Sequence, residues 1–90
     1  MIHFWAVWNG YDVKMKDILT RQVPVEVRER IAFGSFDVDT PEHLEICRQH
    51  AVRNIPFLAF YREGALVRTV TGGVGHPEET ISYLRELVSD

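Results

Sequence analysis

The order of apolar and polar positions divides this chain into alternating strands and helices. Ile2 to Trp8 is a near-continuous aromatic and β-branched run that stops at Asn9-Gly10, as expected of a strand covered on both faces. The period then changes. Tyr11, Met15, Ile18, Leu19 and Gln22 recur at helical spacing, with Lys14, Lys16, Asp17 and Arg21 on the other faces. Pro24 denies Val23 a helical conformation, so the helix is expected to end near Gln22, and Pro24 to Arg30 reads as a polar connection with room for one helical turn. Arg30 to Val38 is the second predicted strand, with Ile31, Phe33, Phe36 and Val38 as its bulk. Thr40-Pro41-Glu42 is a helix start, with a threonine cap, a first-turn proline and an acid at the positive end of the dipole. That helix is expected to turn Leu44, Ile46, Cys47 and Ala51 inward. Phe57 to Tyr61 and Leu66 to Thr71 form a predicted hairpin about Arg62-Glu63-Gly64-Ala65. After a loop containing Gly72, Gly73 and Gly75, Pro77 and two acids open a last helix with Ile81, Leu84, Leu87 and Val88 on one face.

The predicted order is β-α-β-α-β-β-α. A strand–helix–strand unit implies a parallel pair with a right-handed crossover, and the later hairpin adds antiparallel strands. The fold class is therefore α/β, with a mixed four-stranded sheet and helices on both faces. Ninety residues, 46% of them hydrophobic, can bury one core and leave no room for a second, so residues 1–90 read as a single domain. The net charge of −3 is spread without a basic cluster, which argues against a nucleic-acid partner. No long apolar run suggests a membrane span or a leader, so the cytoplasm is the expected location. Cys47 is the only cysteine, which excludes an internal disulfide and suits a reducing compartment.

Several separated segments carry a family resemblance. Phe4-Trp5-Ala6-Val7-Trp8 resembles the strand that leads into a thioredoxin active site, and Phe36-Asp37-Val38-Asp39 resembles the strand that ends Val-Asp. Val52-Arg53-Asn54-Ile55-Pro56 is similar to the segment that holds the family's cis-proline. Tyr61-Arg62-Glu63-Gly64 and the later Gly72 resemble its terminal hairpin and glycine loop. The match runs from about Ile2 to Val88 and implies a minimal thioredoxin-like fold. It breaks where thioredoxins carry Trp-Cys-Gly-Pro-Cys-Lys, because this chain reads Trp8-Asn9-Gly10-Tyr11-Asp12-Val13. Dithiol exchange needs an attacking thiolate and a resolving thiol, and Asn9 and Asp12 can supply neither. The family's buried acid aligns with His3 and its helix-kinking proline with Asp17, while its additional N-terminal strand and helix have no counterpart.

Asn9 is a good helix N-cap and Asp12 falls three positions later, so the pair reads as a capping box, with a catalytic role for Asp12 as the alternative. His3 reads as a hydrogen-bonded core histidine rather than a base, and His76 as a cap or surface residue. Cys47 reads as a small buried hydrophobe, against a redox role. His43, Cys47 and His50 are spaced to share one helix face, a row that can bind metal, but no fourth ligand is evident and no metal or other cofactor is expected. The resemblance implies a groove for an extended peptide at Trp8, Gly10, Tyr11, Ile55, Pro56 and Gly72, with the Ile55 backbone free to pair. The expected function is a redox-inactive module that binds a protein or peptide, as an adaptor or chaperone-like accessory. The alternatives are a divergent thiol–disulfide oxidoreductase using Cys47, a glutathione-binding protein of the same superfamily, or a structural homodimer.

Overall fold

The backbone follows the predicted order with shorter edges. In a computed structural model that describes residues 1–89, strand β1 spans Ile2–Trp5 and helix α1 spans Gly10–Asp17. A short helix α2, Val25–Arg28, precedes β2 at Gly34–Asp37; α3 is Leu44–Gln49, β3 Phe57–Arg62, β4 Ala65–Thr71 and α4 Pro77–Val88. The strand order is β2-β1-β3-β4. β1 pairs parallel with β2 and antiparallel with β3, and β3 pairs antiparallel with β4. The expected mixed α/β sheet is thus borne out.

The sheet separates two apolar layers because successive strand residues face opposite ways. On one face Met1, Leu58 and Phe60 pack with Met15, Ile18, Leu19, Val27 and Leu84 from the α1, α2 and α4 segments. On the other, Phe4, Phe57 and Ala59 pack with Phe36, Ile46, Cys47, Val52 and Ile55, so α3 alone covers that side. The central strands β1 and β3 are covered on both faces for this reason, β3 by apolar residues throughout its buried part and β1 with His3 on the α1 side, whereas β2 and β4 lie at the edges.

Several element boundaries and faces differ from expectation. β1 stops at Trp5 rather than Trp8 because the Ala6 N–H turns to the Asp12 carboxylate and the Ala6 carbonyl accepts from Asn9. In α1 the inward residues are Asp12 and Met15; Tyr11 and Gln22 are exposed, so an acid takes a place on the buried stripe that the pattern of hydrophobes had assigned to Tyr11. Immediately after Asp17 the helix widens into a π-type turn, Ile18–Gln22, closed by Val23 N–H to Ile18 carbonyl at 3.2 Å. Pro24 follows it, as the sequence required.

The second strand is confined to Gly34–Asp37, and Phe33 before it is 39% exposed because no neighbour covers that edge. α3 begins in a 3₁₀ turn, Pro41–His43, and Thr40 makes no side-chain cap. Leu44 is 58% exposed and Ala51 is also outside, where its φ of 53° ends the helix. The face turned to the core is instead His43, Ile46, Cys47 and His50. The hairpin turns on Glu63 and Gly64, both at positive φ, which matches the right-handed strand twist in a two-residue loop. α4 buries Leu84 and half-buries Ile81, Leu87 and Val88, as its periodicity predicted.

Leu84 is fully buried in the larger layer, so Leu84→Ala should cost ~2–5 kcal/mol. Leu66→Ala, on the exposed edge strand, should change stability by less than ~0.5 kcal/mol. Urea unfolding of the two variants checks the contrast; equal losses would mean that the core lies elsewhere.

Candidate functional site

The first turn of α1 meets the ends of β1 and β2 and the Ile55-Pro56 loop, and two polar side chains hold the junction. Asn9 caps the helix, its Oδ1 accepting from the Tyr11 N–H at 3.0 Å. Its Nδ2 donates to the Ile55 carbonyl at 3.0 Å, which ties the helix start to the loop. Ile55-Pro56 is a cis peptide, and the Pro56 carbonyl in turn accepts from the Gly72 N–H at 2.8 Å. Gly72 has a φ of +78°, a backbone conformation suited to glycine.

Asp12 does not complete a capping box. The Asn9 N–H goes to the Ala6 carbonyl, and the Asp12 carboxylate turns inward, 3% exposed. Its Oδ2 accepts from the Ala6 N–H and its Oδ1 from His3 Nε2–H, each at 3.0 Å. An acid buried this deeply persists only where such donors satisfy it. His3 and Asp12 each stand out in the sequence, but nothing local shows that they meet. A helix position three residues after the cap can face either the cap or the strand beside it, and only the packed strand decides.

His3 is 7% exposed. Loss of hydration holds its pKa below the usual histidine value; the Asp12 hydrogen bond and charge pull upward without overcoming that effect. The ring is therefore neutral at pH 7, with the proton on the nitrogen that faces Asp12.

Around this buried pair the surface is apolar. Val7 is 78% exposed, Trp8 69%, Tyr11 60% and Val13 65%. Trp8 is nonetheless fixed, since its Nε1–H donates to Asp39 Oδ2 at 2.7 Å. Asp39 was not among the candidate residues; its place at the end of the Val38-Asp39 segment was the available signal. Of the predicted groove, Gly10 and Tyr11 lie exposed on the first turn of α1, Ile55 is half-buried, Pro56 is buried, and Gly72 abuts it. The Ile55 backbone is only half free: Asn9 takes its carbonyl, while its N–H finds no acceptor among the described residues.

The remaining candidates fall outside this junction. Cys47 lies in the α3 layer on the opposite face of the sheet, and burial pushes its thiol pKa up, away from the thiolate that redox attack needs. His43 and His50 share the face expected of them, but that face is packed. His43 Nδ1–H donates to the Asp37 carbonyl at 2.8 Å beneath Phe36. His50 Nδ1–H donates to the Ile46 carbonyl at 2.7 Å, and its Nε2 accepts from the Tyr61 hydroxyl. Among the described residues no group of three His, Cys, Asp or Glu side chains is placed to hold a metal ion. His76 occupies the exposed N-cap position of α4 without a side-chain cap. No helix among the described residues is long and apolar enough to cross a membrane.

A protein-family model described as Thioredoxin matches residues 1–86. A thioredoxin of Mycolicibacterium smegmatis is 28% identical over 87 residues, covering 97% of this chain and 73% of that protein. The thioredoxin of Mycobacterium tuberculosis is 30% identical over 87 residues, again 97% of this chain and 69% of its own. Among solved structures, Malassezia sympodialis thioredoxin superposes with a TM-score of 0.83 at 23% identity, covering 98% of this chain and 73% of its own.

His3 generates a pH dependence. Below its ordinary pKa of about 6.5, the unfolded chain takes up a proton that folded His3 resists until a lower pH is reached. The unfolded state then binds more protons, so stability falls as pH drops from about 6.5 toward the depressed folded value. Urea unfolding at pH 7.5 and 5.5 should show the loss, and His3→Gln, which keeps a donor for Asp12, should flatten it. Identical pH slopes in the two proteins would refute this role for His3.

Proposed function

The chain belongs to the thioredoxin family, and from that premise and the residues at its helix start we propose that it binds an extended protein or peptide segment without dithiol exchange. The observation that carries this reading is the held but exposed Trp8, anchored through Asp39 and flanked by exposed Val7, Tyr11 and Val13. A fixed aromatic surface binds apolar side chains with little ordering cost. The nearby Ile55 N–H offers one main-chain donor to an extended ligand, fewer than a strand with both groups free would offer. Affinity in this reading comes mainly from the aromatic patch.

The covalent route is disfavoured on chemical grounds. Asn9 and Asp12 stand at the positions of the two family cysteines, and both are committed to hydrogen bonds that hold the helix start. Cys47 is on the other side of the sheet with a raised pKa. A reducing compartment, with the cytoplasm as the proposed location, suits a chain whose one cysteine stays free.

Selection of random dodecapeptides on phage should enrich apolar sequences that bind the immobilised protein. Trp8→Ala should then weaken the enriched peptide by about tenfold or more, as for an aromatic hot spot. The same variant should lose no more than ~1 kcal/mol of folding stability, because the Asp39 bond it removes is exposed. In an insulin reduction assay the protein should add nothing to the dithiothreitol background. Failure to enrich any peptide, or undiminished binding by Trp8→Ala, would end the binding proposal. Turnover abolished by Cys47→Ser would establish the oxidoreductase alternative instead.

A further inference from the structure

A second concavity lies beside the Trp8 turn, between the start of α1 and the open edge of the sheet. Its walls include Trp5, Val7 and Val13, with His3 and Ser35 on the sheet side and Lys16 on α1. The space is about 350 Å³, toward the lower end of the ~300–1,000 Å³ usual for small-molecule sites. It exists because β2 is an edge strand: Ser35 is exposed, and it stands beside His3 in the parallel register, so both side chains face the α1 side.

His3 makes this more than an apolar dent. Its Nε2–H is spent on Asp12. Its Nδ1 has no protein partner among the described residues, yet no sealed side-chain nitrogen or oxygen among them lacks one. Nδ1 of a histidine more than nine-tenths buried therefore meets open space, and the ring lines both this cleft and the neighbouring hollow bounded by Leu19, Phe33 and Ser35. The Asp12 bond also fixes the ring's orientation and tautomer, leaving an aimed lone pair that accepts and cannot donate. The arrangement is a histidine acceptor, the Asp12 carboxylate with each oxygen already holding a donor, aromatic and aliphatic walls, and a cation on Lys16, which makes no ion pair among the described residues.

We propose that this cleft binds a small aryl acid whose phenolic hydroxyl donates to His3 Nδ1 and whose carboxylate pairs with Lys16. The ring rests against Trp5, Val7 and Val13. This site shares Val7 and Val13 with the Trp8 face but does not use Trp8 itself, and it needs no covalent step.

The test is an NMR titration of ¹⁵N-labelled protein with 4-hydroxyphenylacetate. Saturable shifts are expected at the His3 ring nitrogens and at the Ser35, Val13 and Lys16 amides. The 4-methoxy analogue, which has no donor, and the Lys16→Glu variant should each bind about fivefold more weakly or worse. Val13→Trp, on an exposed helix position, should fill the space and abolish binding, whereas Trp8→Ala should leave it unchanged. The proposal is overturned by an absence of saturable shifts, by equal affinity for the methoxy analogue, or by shifts that centre on Trp8 and Tyr11 and survive Val13→Trp.

Discussion

The buried carboxylate of Asp12 is the constraint around which the start of α1 and the strand ends beside it are arranged. A charge removed from water must find donors, and Asp12 takes them from the Ala6 N–H and the His3 ring. Taking the Ala6 N–H ends β1 three residues before the aromatic run does, and the chain turns there. Val7 and Trp8 are consequently carried out into solvent rather than into the sheet. Asn9 completes the turn from the other side by joining the helix start to the Ile55 carbonyl.

This arrangement joins a helix start, a strand end and a loop through polar side chains at the positions that the family resemblance aligns with its cysteines. Asn9 and Asp12 there supply hydrogen-bonding groups rather than thiols. The change reaches the residue beneath, since His3 is the partner that the Asp12 carboxylate requires. It also separates surface from core. The aromatic face at Trp8 and the cleft at His3 lie on the side of α1, whereas Cys47 and the packed pair His43 and His50 lie under α3 on the opposite face.

Much of the scaffold was legible in the chain. Element order, the Glu63-Gly64 turn, the Asn9 cap and the inward stripe of α4 all follow from local pattern, because period, capping and turn residues act over a few positions. The errors fell where an element's inner face depends on a neighbour not adjacent in sequence. Leu44 was expected inside, but the helix presents His50 to Phe4 and Tyr61 instead. Phe33 was expected in a strand, but it precedes the edge strand β2 and stays 39% exposed. A histidine on the buried face of α3 gives no apolar signal, so its aromatic packing was hidden.

The sequence by itself determined the βαβαββα plan, the absence of an exchangeable cysteine pair, and the polar replacements at Asn9 and Asp12. These follow from residue identity and from interactions spanning a turn or two. Only the tertiary structure decided that Asp12 faces His3 rather than its own helix cap, that Asn9 claims the Ile55 carbonyl, and that Trp8 is pinned outward by Asp39. Each of those bonds joins residues whose proximity exists only once the strands are paired, so no local rule could have chosen their partners.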